Sequence, residues 1–140
     1  EDLYQLHGVH VSCGVPSIPT ASVSITRPDG EYETLAATGT GPVDAIFTAI
    51  NRICRLEVEL REYVVHAVSG GVDTLGEVTV RIRSTDDAPR TFSGHAADAD
   101  ILVASAKAYL SALNKLARAA FKRRQREDAA TTDAEAVAQS

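Results

Sequence analysis

A segment of two glycines and a proline, Gly39-Thr40-Gly41-Pro42, has the residue types of a helix entry that could bind an anion. From Val43 to Cys54, apolar residues recur at three- and four-residue steps, which predicts a helix beginning at Pro42. The first amides of a helix have no acceptor within it, and glycine lets a ligand approach the backbone closely. The segment therefore suits a carboxylate. A tight entry turn without a ligand is the alternative.

Patterns typical of catalytic sites are weak in this sequence. The histidines are scattered and lack metal-ligand spacing: His7, His10, His66 and His95. Ser12-Cys13-Gly14 lacks the flanking glycine of a nucleophile elbow, and Gly39-Thr40-Gly41 lacks the third glycine of a dinucleotide-binding loop. We therefore predict that the chain by itself is not an enzyme and holds no metal or cofactor.

Charge and composition exclude other classes of partner. A net charge of -5 argues against nucleic acid, and we expect the cluster Lys122-Arg123-Arg124 with Arg126 to oppose the dipole at a helix end. No apolar run approaches the ~20 residues that cross a bilayer, and no signal peptide is recognisable, so we predict a cytoplasmic protein without membrane contact. Cys13 and Cys54 are predicted to be small buried hydrophobic residues. Because the chain begins Glu1-Asp2, it is expected to be part of a longer polypeptide.

The periodicity predicts the same element order twice. Alternation at Ala21, Val23 and Ile25 predicts a strand, Pro28-Asp29-Gly30 a turn, and residues 32–38 its hairpin partner before the first helix. Residues 60–68, 78–83 and 90–93 repeat the three strands, and Gly94-His95-Ala96-Ala97 is predicted as the loop that leads to a second helix. Asp98 and Asp100 are predicted to cap that helix. The fold class is therefore α+β, two packed β-β-β-α units.

Two motifs resemble a known family. Residues 39–45, GTGPVDA, resemble the G-x-G-P-x-x-A signature of the C-terminal regulatory domain of 2-isopropylmalate synthases and citramalate synthases. Residues 98–109, DADILVASAKAY, resemble that domain's D-x-D-I-x-x-A-S-x-x-A-Y segment. Residues 110–116, which contain Asn114, continue it in the pattern of the isopropylmalate branch. Ala96-Ala97 stands where some relatives carry another glycine, and Thr40 occupies a variable position.

The resemblance implies a leucine-binding domain that forms a homodimer and inhibits leucine biosynthesis by feedback. It further implies a parent acyltransferase whose catalytic TIM barrel, absent from this chain, uses a divalent metal and acetyl-CoA. Residues 1–124 would form the regulatory domain, and we expect 125–140, which lack large apolar side chains, to be a disordered tail. Two alternatives stay open: an isoleucine-binding domain of a citramalate synthase, and a purely structural dimerisation module.

The resemblance also implies the residues of an effector site. The amino acid's carboxylate would bind at Gly39, Thr40, Gly41 and Val43, and its ammonium group would bind to Asp44 or a backbone carbonyl. The branched side chain would pack in an apolar pocket with walls from Leu60, Tyr63, Ala67 and Ile101, and Thr74 matches a further position of the family's effector pocket. One methylene of mismatch in such a pocket is worth only ~1–3 kcal/mol, so the choice of leucine over isoleucine rests on the family branch.

Overall fold

The fold consists of two consecutive β-β-β-α units, as the sequence predicts. The computed structural model describes the backbone of residues 3–15, 18–70, 73–86 and 89–139; the side chains of 68–74 and 132–140 lie outside the described part. The first unit contains β1 (Gln5–Ser12), β2 (Thr20–Thr26), β3 (Tyr32–Thr38) and α1 (Pro42–Cys54). The second contains β4 (Val58–Gly70), β5 (Asp73–Ser84), β6 (Thr91–Asp98) and α2 (Ile101–Gln139).

Each unit folds as an antiparallel three-stranded sheet in sequence order, β1-β2-β3 and β4-β5-β6. The predicted turn before β3 is confirmed, because Gly30 adopts a φ of 87° and its amide donates to the Arg27 carbonyl at 2.9 Å. Alternate residues of the two central strands are buried: Ala21, Val23 and Ile25 in β2, and Val78, Val80 and Ile82 in β5. The α1 helix packs on β2 and β3, whereas α2 packs on β5 and β6. The strand β4 is therefore left without a helix across it.

The two units share one core along the contact between their helices. The rings of Phe47 in α1 and Tyr109 in α2 stack with their centroids 4.1 Å apart. The Tyr109 hydroxyl donates to Asn51 Oδ1 at 2.7 Å, and burial raises the pKa of Tyr109 to about 12. Buried Asn114 adds a second connection: its amide group donates to the Tyr4 carbonyl and accepts from the Tyr4 amide, at 3.0 and 2.7 Å. These contacts fix α1 and the first strand against α2.

The second glycine loop predicted from the sequence is wrong. Residues 94–97 belong to β6, with Gly94 paired to Val80 of β5, and only Ala99 and Asp100 separate the strand from α2. A side chain at Gly94 would collide with the backbone of Ala108 and Ala112. The glycine therefore serves the close approach of helix to strand, not a turn.

The C-terminal part of α2 also differs from the sequence prediction. The helix continues to Gln139, through the segment expected to be a disordered tail from residue 125. Residues 121–131 are exposed, so tertiary packing does not explain this part of the helix. Its alanines favour a helix, and so does the ion pair between Arg123 and Glu127, four residues apart at 3.3 Å. Lys122, Arg123, Arg124 and Arg126 lie inside this helix, so their predicted role at a helix end is wrong. The division of the chain at residue 124 stays a prediction.

Candidate functional site

The loop between β3 and α1 is held by its own backbone and by Asp44. The Gly39 amide donates to the Pro19 carbonyl at 3.0 Å. The Asp44 carboxylate turns back over the loop and accepts from the Thr40 amide at 2.8 Å and from the Thr40 hydroxyl at 3.3 Å. A Cβ at Gly39 would lie 2.6 Å from Asp44 Oδ2 and 2.5 Å from the Ala45 nitrogen, so this side of the loop is closed.

The start of α1 itself has no side-chain cap. Gly41 is the N-cap residue, in an extended conformation, and no side chain accepts from the first turn at this position. The first hydrogen bond within the helix runs from the Ala45 amide to the Gly41 carbonyl at 3.0 Å. The amides of Val43 and Asp44 precede it and therefore have no intrahelical acceptor. A Cβ at Gly41 would meet nothing within 4 Å, so open space lies beside these donors.

The start of α2 is closed by its own carboxylates, as the sequence predicts. Asp100 Oδ1 accepts from the Leu102 amide at 2.8 Å, and Asp98 Oδ1 accepts from the Asp100 amide at 2.9 Å. That backbone hydrogen bond, with the Lys107 ammonium group at 3.1 Å, lowers the pKa of Asp98. Of the two equivalent helix starts, the one at Gly41 is therefore the one whose dipole could attract an external anion.

Three residues of the predicted apolar wall lie on β4, on the helix-facing side of the second sheet. Leu60, Tyr63 and Ala67 pair in register with the inward-facing residues Ile82, Val80 and Gly76 of β5. Because neither helix crosses β4, Leu60 is 46% exposed and its neighbour on the same face, Val65, is 40% exposed. This part of the wall has no cover from the described residues of the chain.

Tyr63 and Ile101 are held by contacts at the start of α2. Buried Ser105 donates its hydroxyl to the Ile101 carbonyl at 2.7 Å, so the Tyr63 hydroxyl donates to Ser105 Oγ, also at 2.7 Å. The Ile101 side chain covers Gly76, where a Cβ would collide with it. Since Gly76 pairs with Ala67, the structure brings Ala67, Tyr63 and Ile101 to one region.

The predicted site residues lie in two groups, one at the start of α1 and one around Tyr63 and Ile101, and Phe47 lies between them. Phe47 lies one turn beyond Asp44 in α1, and its ring meets the Tyr63 ring edge-on, with centroids 5.9 Å apart. The side chain of Thr74 lies outside the described residues. Sequence reasoning placed Phe47 only on an apolar helix face and missed Ser105 as the anchor of Tyr63. The spacing of Ile101 and Ser105, four residues apart on one helix face, was the available signal.

The two cysteines differ, contrary to the sequence prediction. Cys54 is buried at the end of α1, and loss of solvation, together with the charge of Glu33, raises the pKa of its thiol to about 12. Cys13 is exposed, because it follows the last residue of β1.

At pH 8 the folded chain should therefore react with a thiol reagent such as Ellman's reagent at one cysteine, with the second reacting only on unfolding. Cys13→Ser should remove the fast reaction; equal native rates for both thiols would contradict this account.

In the described part of the chain, no group of three or more histidine, cysteine, aspartate or glutamate side chains is placed to hold a metal ion. No described helix is long and apolar enough to cross a membrane.

Comparison with known proteins identifies the class to which this geometry belongs. Residues 1–117 match the family described as the LeuA allosteric (dimerisation) domain. The chain is 56% identical over 115 residues to a 2-isopropylmalate synthase of Gloeobacter violaceus and 55% identical over 115 residues to that of Trichodesmium erythraeum. It is 51% identical over 124 residues to that of Synechocystis sp.. These alignments cover 82%, 82% and 89% of the chain but only 21%, 21% and 23% of the relatives.

Two β-β-β-α units around one core thus define an α+β regulatory-domain fold. The chain belongs to the LeuA allosteric (dimerisation) domain family. It spans about a fifth (21%) of the length of the first two relatives.

Proposed function

We propose that the chain is the leucine-sensing and dimerisation domain of a 2-isopropylmalate synthase. The observation that carries the proposal is the uncapped start of α1 next to an uncovered apolar strand, in a chain whose relatives are named 2-isopropylmalate synthase. The parent's catalytic domain would carry out the condensation, and this chain would regulate it. The relatives' names favour leucine over isoleucine as the effector.

The proposed binding mode assigns each part of leucine to residues already described. The carboxylate accepts from the amides of Val43 and Asp44, where the dipole of α1 adds to the attraction. The ammonium group binds to the Asp44 carboxylate, which keeps acceptor capacity beside its two bonds from Thr40. The branched side chain packs against Tyr63 and Ile101, and the wall continues along β4 through Leu60 and Ala67.

The missing cover over β4 is supplied, in this proposal, by a second copy of the chain. The strand is 13 residues long and lies at the edge of its sheet, an arrangement that invites pairing with another chain. Its inward-facing Leu60 and Val65 leave apolar surface exposed, and the same surface on a partner would be self-complementary in a symmetric dimer. The effector would then bind beside the interface, where it can bias the arrangement of two barrels.

Sedimentation at micromolar concentration should accordingly give a dimer. Val65→Lys places a charge on the inward face of β4 and should shift the chain toward monomer without unfolding it. Leu75→Lys is the matched control, because Leu75 is similarly exposed (43%, against 40% for Val65) but lies on the opposite face of the same sheet. A monomer before any substitution, or equal dissociation by both variants, would contradict the proposed interface.

Isothermal titration with leucine, isoleucine and valine tests the sensing role. We expect saturable binding with leucine preferred. In allosteric proteins, the free energy that couples effector binding to a distant active site is typically ~1–3 kcal/mol. Preference for isoleucine would move the parent to citramalate synthesis. No binding by a dimeric chain would leave a structural dimerisation module.

A further inference from the structure

Six cations converge on one groove at an edge of the second sheet, where β6 meets α2. A cavity of about 510 Å³ lies between α2 and β6, and Phe92 is one of its lining residues. Its basic lining is Arg90, Lys115, Arg118, Lys122, Arg123 and Arg126. We refer to these residues, together with Phe92, as the basic groove.

Among the residues that the structure describes, ion pairs offset the positive charge at Arg123, and the other cations add positive charge to the groove. The helix does not end here, so its dipole does not account for the cations. Arg118, Lys122 and Arg126 follow one another at four-residue spacing, where like charges repel by roughly 0.2–0.5 kcal/mol per pair. Within the groove Arg123 pairs with Asp86 at 3.9 Å and with Glu127 at 3.3 Å. The chain as a whole is acidic, with a net charge of -5, so the basic groove is a local feature.

The groove also contains a flat apolar surface held in place. The Arg90 guanidinium lies over the Phe92 ring, 5.2 Å from its centroid. Lys115 donates its ammonium group to the Ser93 carbonyl, which ties α2 to β6 beside that ring. Phe92 is half-buried, so part of its surface remains accessible. An aromatic ring and a guanidinium plane together form a surface on which a planar base can stack.

We propose that the basic groove binds a small phosphate-bearing anion of the nucleoside diphosphate class. Lysine and arginine side chains are the usual donors to phosphate oxygens, and several of them around one groove favour more than one phosphate. The base stacks on Arg90 and Phe92. The volume lies within the range of small-molecule sites, ~300–1,000 Å³. This site is separate from the start of α1, so the inference does not depend on leucine binding.

Calorimetry of the 140-residue chain with ADP, inorganic pyrophosphate and adenosine tests the proposal at about 50 mM salt. ADP and pyrophosphate should bind saturably, adenosine should not, and about 200 mM salt should weaken binding. The double variant Lys122→Gln/Arg126→Gln should weaken ADP binding by at least about tenfold. Arg61→Gln/Arg81→Gln removes the same charge from exposed residues of β4 and β5 and should leave the affinity unchanged.

The Phe92→Leu variant distinguishes the contribution of the base to binding from that of the phosphates. It should weaken ADP binding by about three- to tenfold and leave pyrophosphate binding unchanged, because only ADP stacks. Circular dichroism checks that each variant is folded. Absence of saturable binding by both phosphates, or an equal loss in both double variants, would overturn the proposal. Pyrophosphate binding as tight as ADP binding, with no effect of Phe92→Leu, would overturn the nucleoside assignment.

Discussion

Replacing Gly94 by valine is expected to destabilise the chain by about 3–5 kcal/mol, enough to unfold many domains of this size. A Cβ at this position would lie 2.7 Å from the Ala112 nitrogen and closer still to the Ala108 carbonyl oxygen. Both are backbone atoms of α2, so no side-chain rotation can relieve the collision. The helix would have to move away from β6 and from the buried central strand beside it.

Urea unfolding followed by circular dichroism measures this effect. Gly8→Val is the matched control, since Gly8 also lies in a strand but a Cβ there would meet nothing within 4 Å. The control should change the free energy of unfolding by less than about 1 kcal/mol. A Gly94→Val variant as stable as the control would show that the helix does not pack this closely on β6.

Replacing Gly41 by valine is expected to lower the affinity for leucine by about a hundredfold or more, while the chain stays folded. The backbone there is extended, with a φ of -159°, and nothing lies within 4 Å of the added Cβ, so the substitution fits without strain. The branched side chain would instead fill the space beside the amides of Val43 and Asp44. Loss of glycine at the N-cap should cost the helix only about 1 kcal/mol.

Leucine titration of the folded Gly41→Val variant measures this loss, with Gly8→Val as the control that should bind normally. Thr40→Ala is a second comparison, because it removes the 3.3 Å hydroxyl bond to Asp44 but keeps the 2.8 Å amide bond. Its affinity should fall by less than about tenfold. Unchanged affinity in Gly41→Val would place the site elsewhere.

The element order was predictable because each change in hydrophobic period is clear in the sequence. Alternation in β2 and β5 and the three- and four-residue steps of α1 identify strands and helix, and Gly41-Pro42 marks the helix start. Residues 94–97, Gly-His-Ala-Ala, were predicted as a loop because they carry a glycine before the second helix, as residues 39–42 do before the first. Their place in β6 is set by contact with α2, which local patterning does not report.

The sequence indicates the two helix starts but not which groups their carboxylates bind. Asp44 and Asp100 look alike as carboxylates near helix starts, yet Asp100 caps its helix whereas Asp44 turns back to Thr40. That difference leaves only the start of α1 without a side-chain cap among these two helices. The exposure of Leu60 and Val65 likewise depends on which strands the helices cover, a property of packing and not of local sequence.

Amide chemical-shift mapping during a leucine titration tests the central claim most directly. If leucine binds as proposed, the largest shifts should fall on the amides of residues 40–45, with a second group at Tyr63 and Ile101. Both groups should saturate together at one concentration. Saturable leucine binding that leaves residues 40–45 unshifted would contradict the assignment of the α1 start as the effector site.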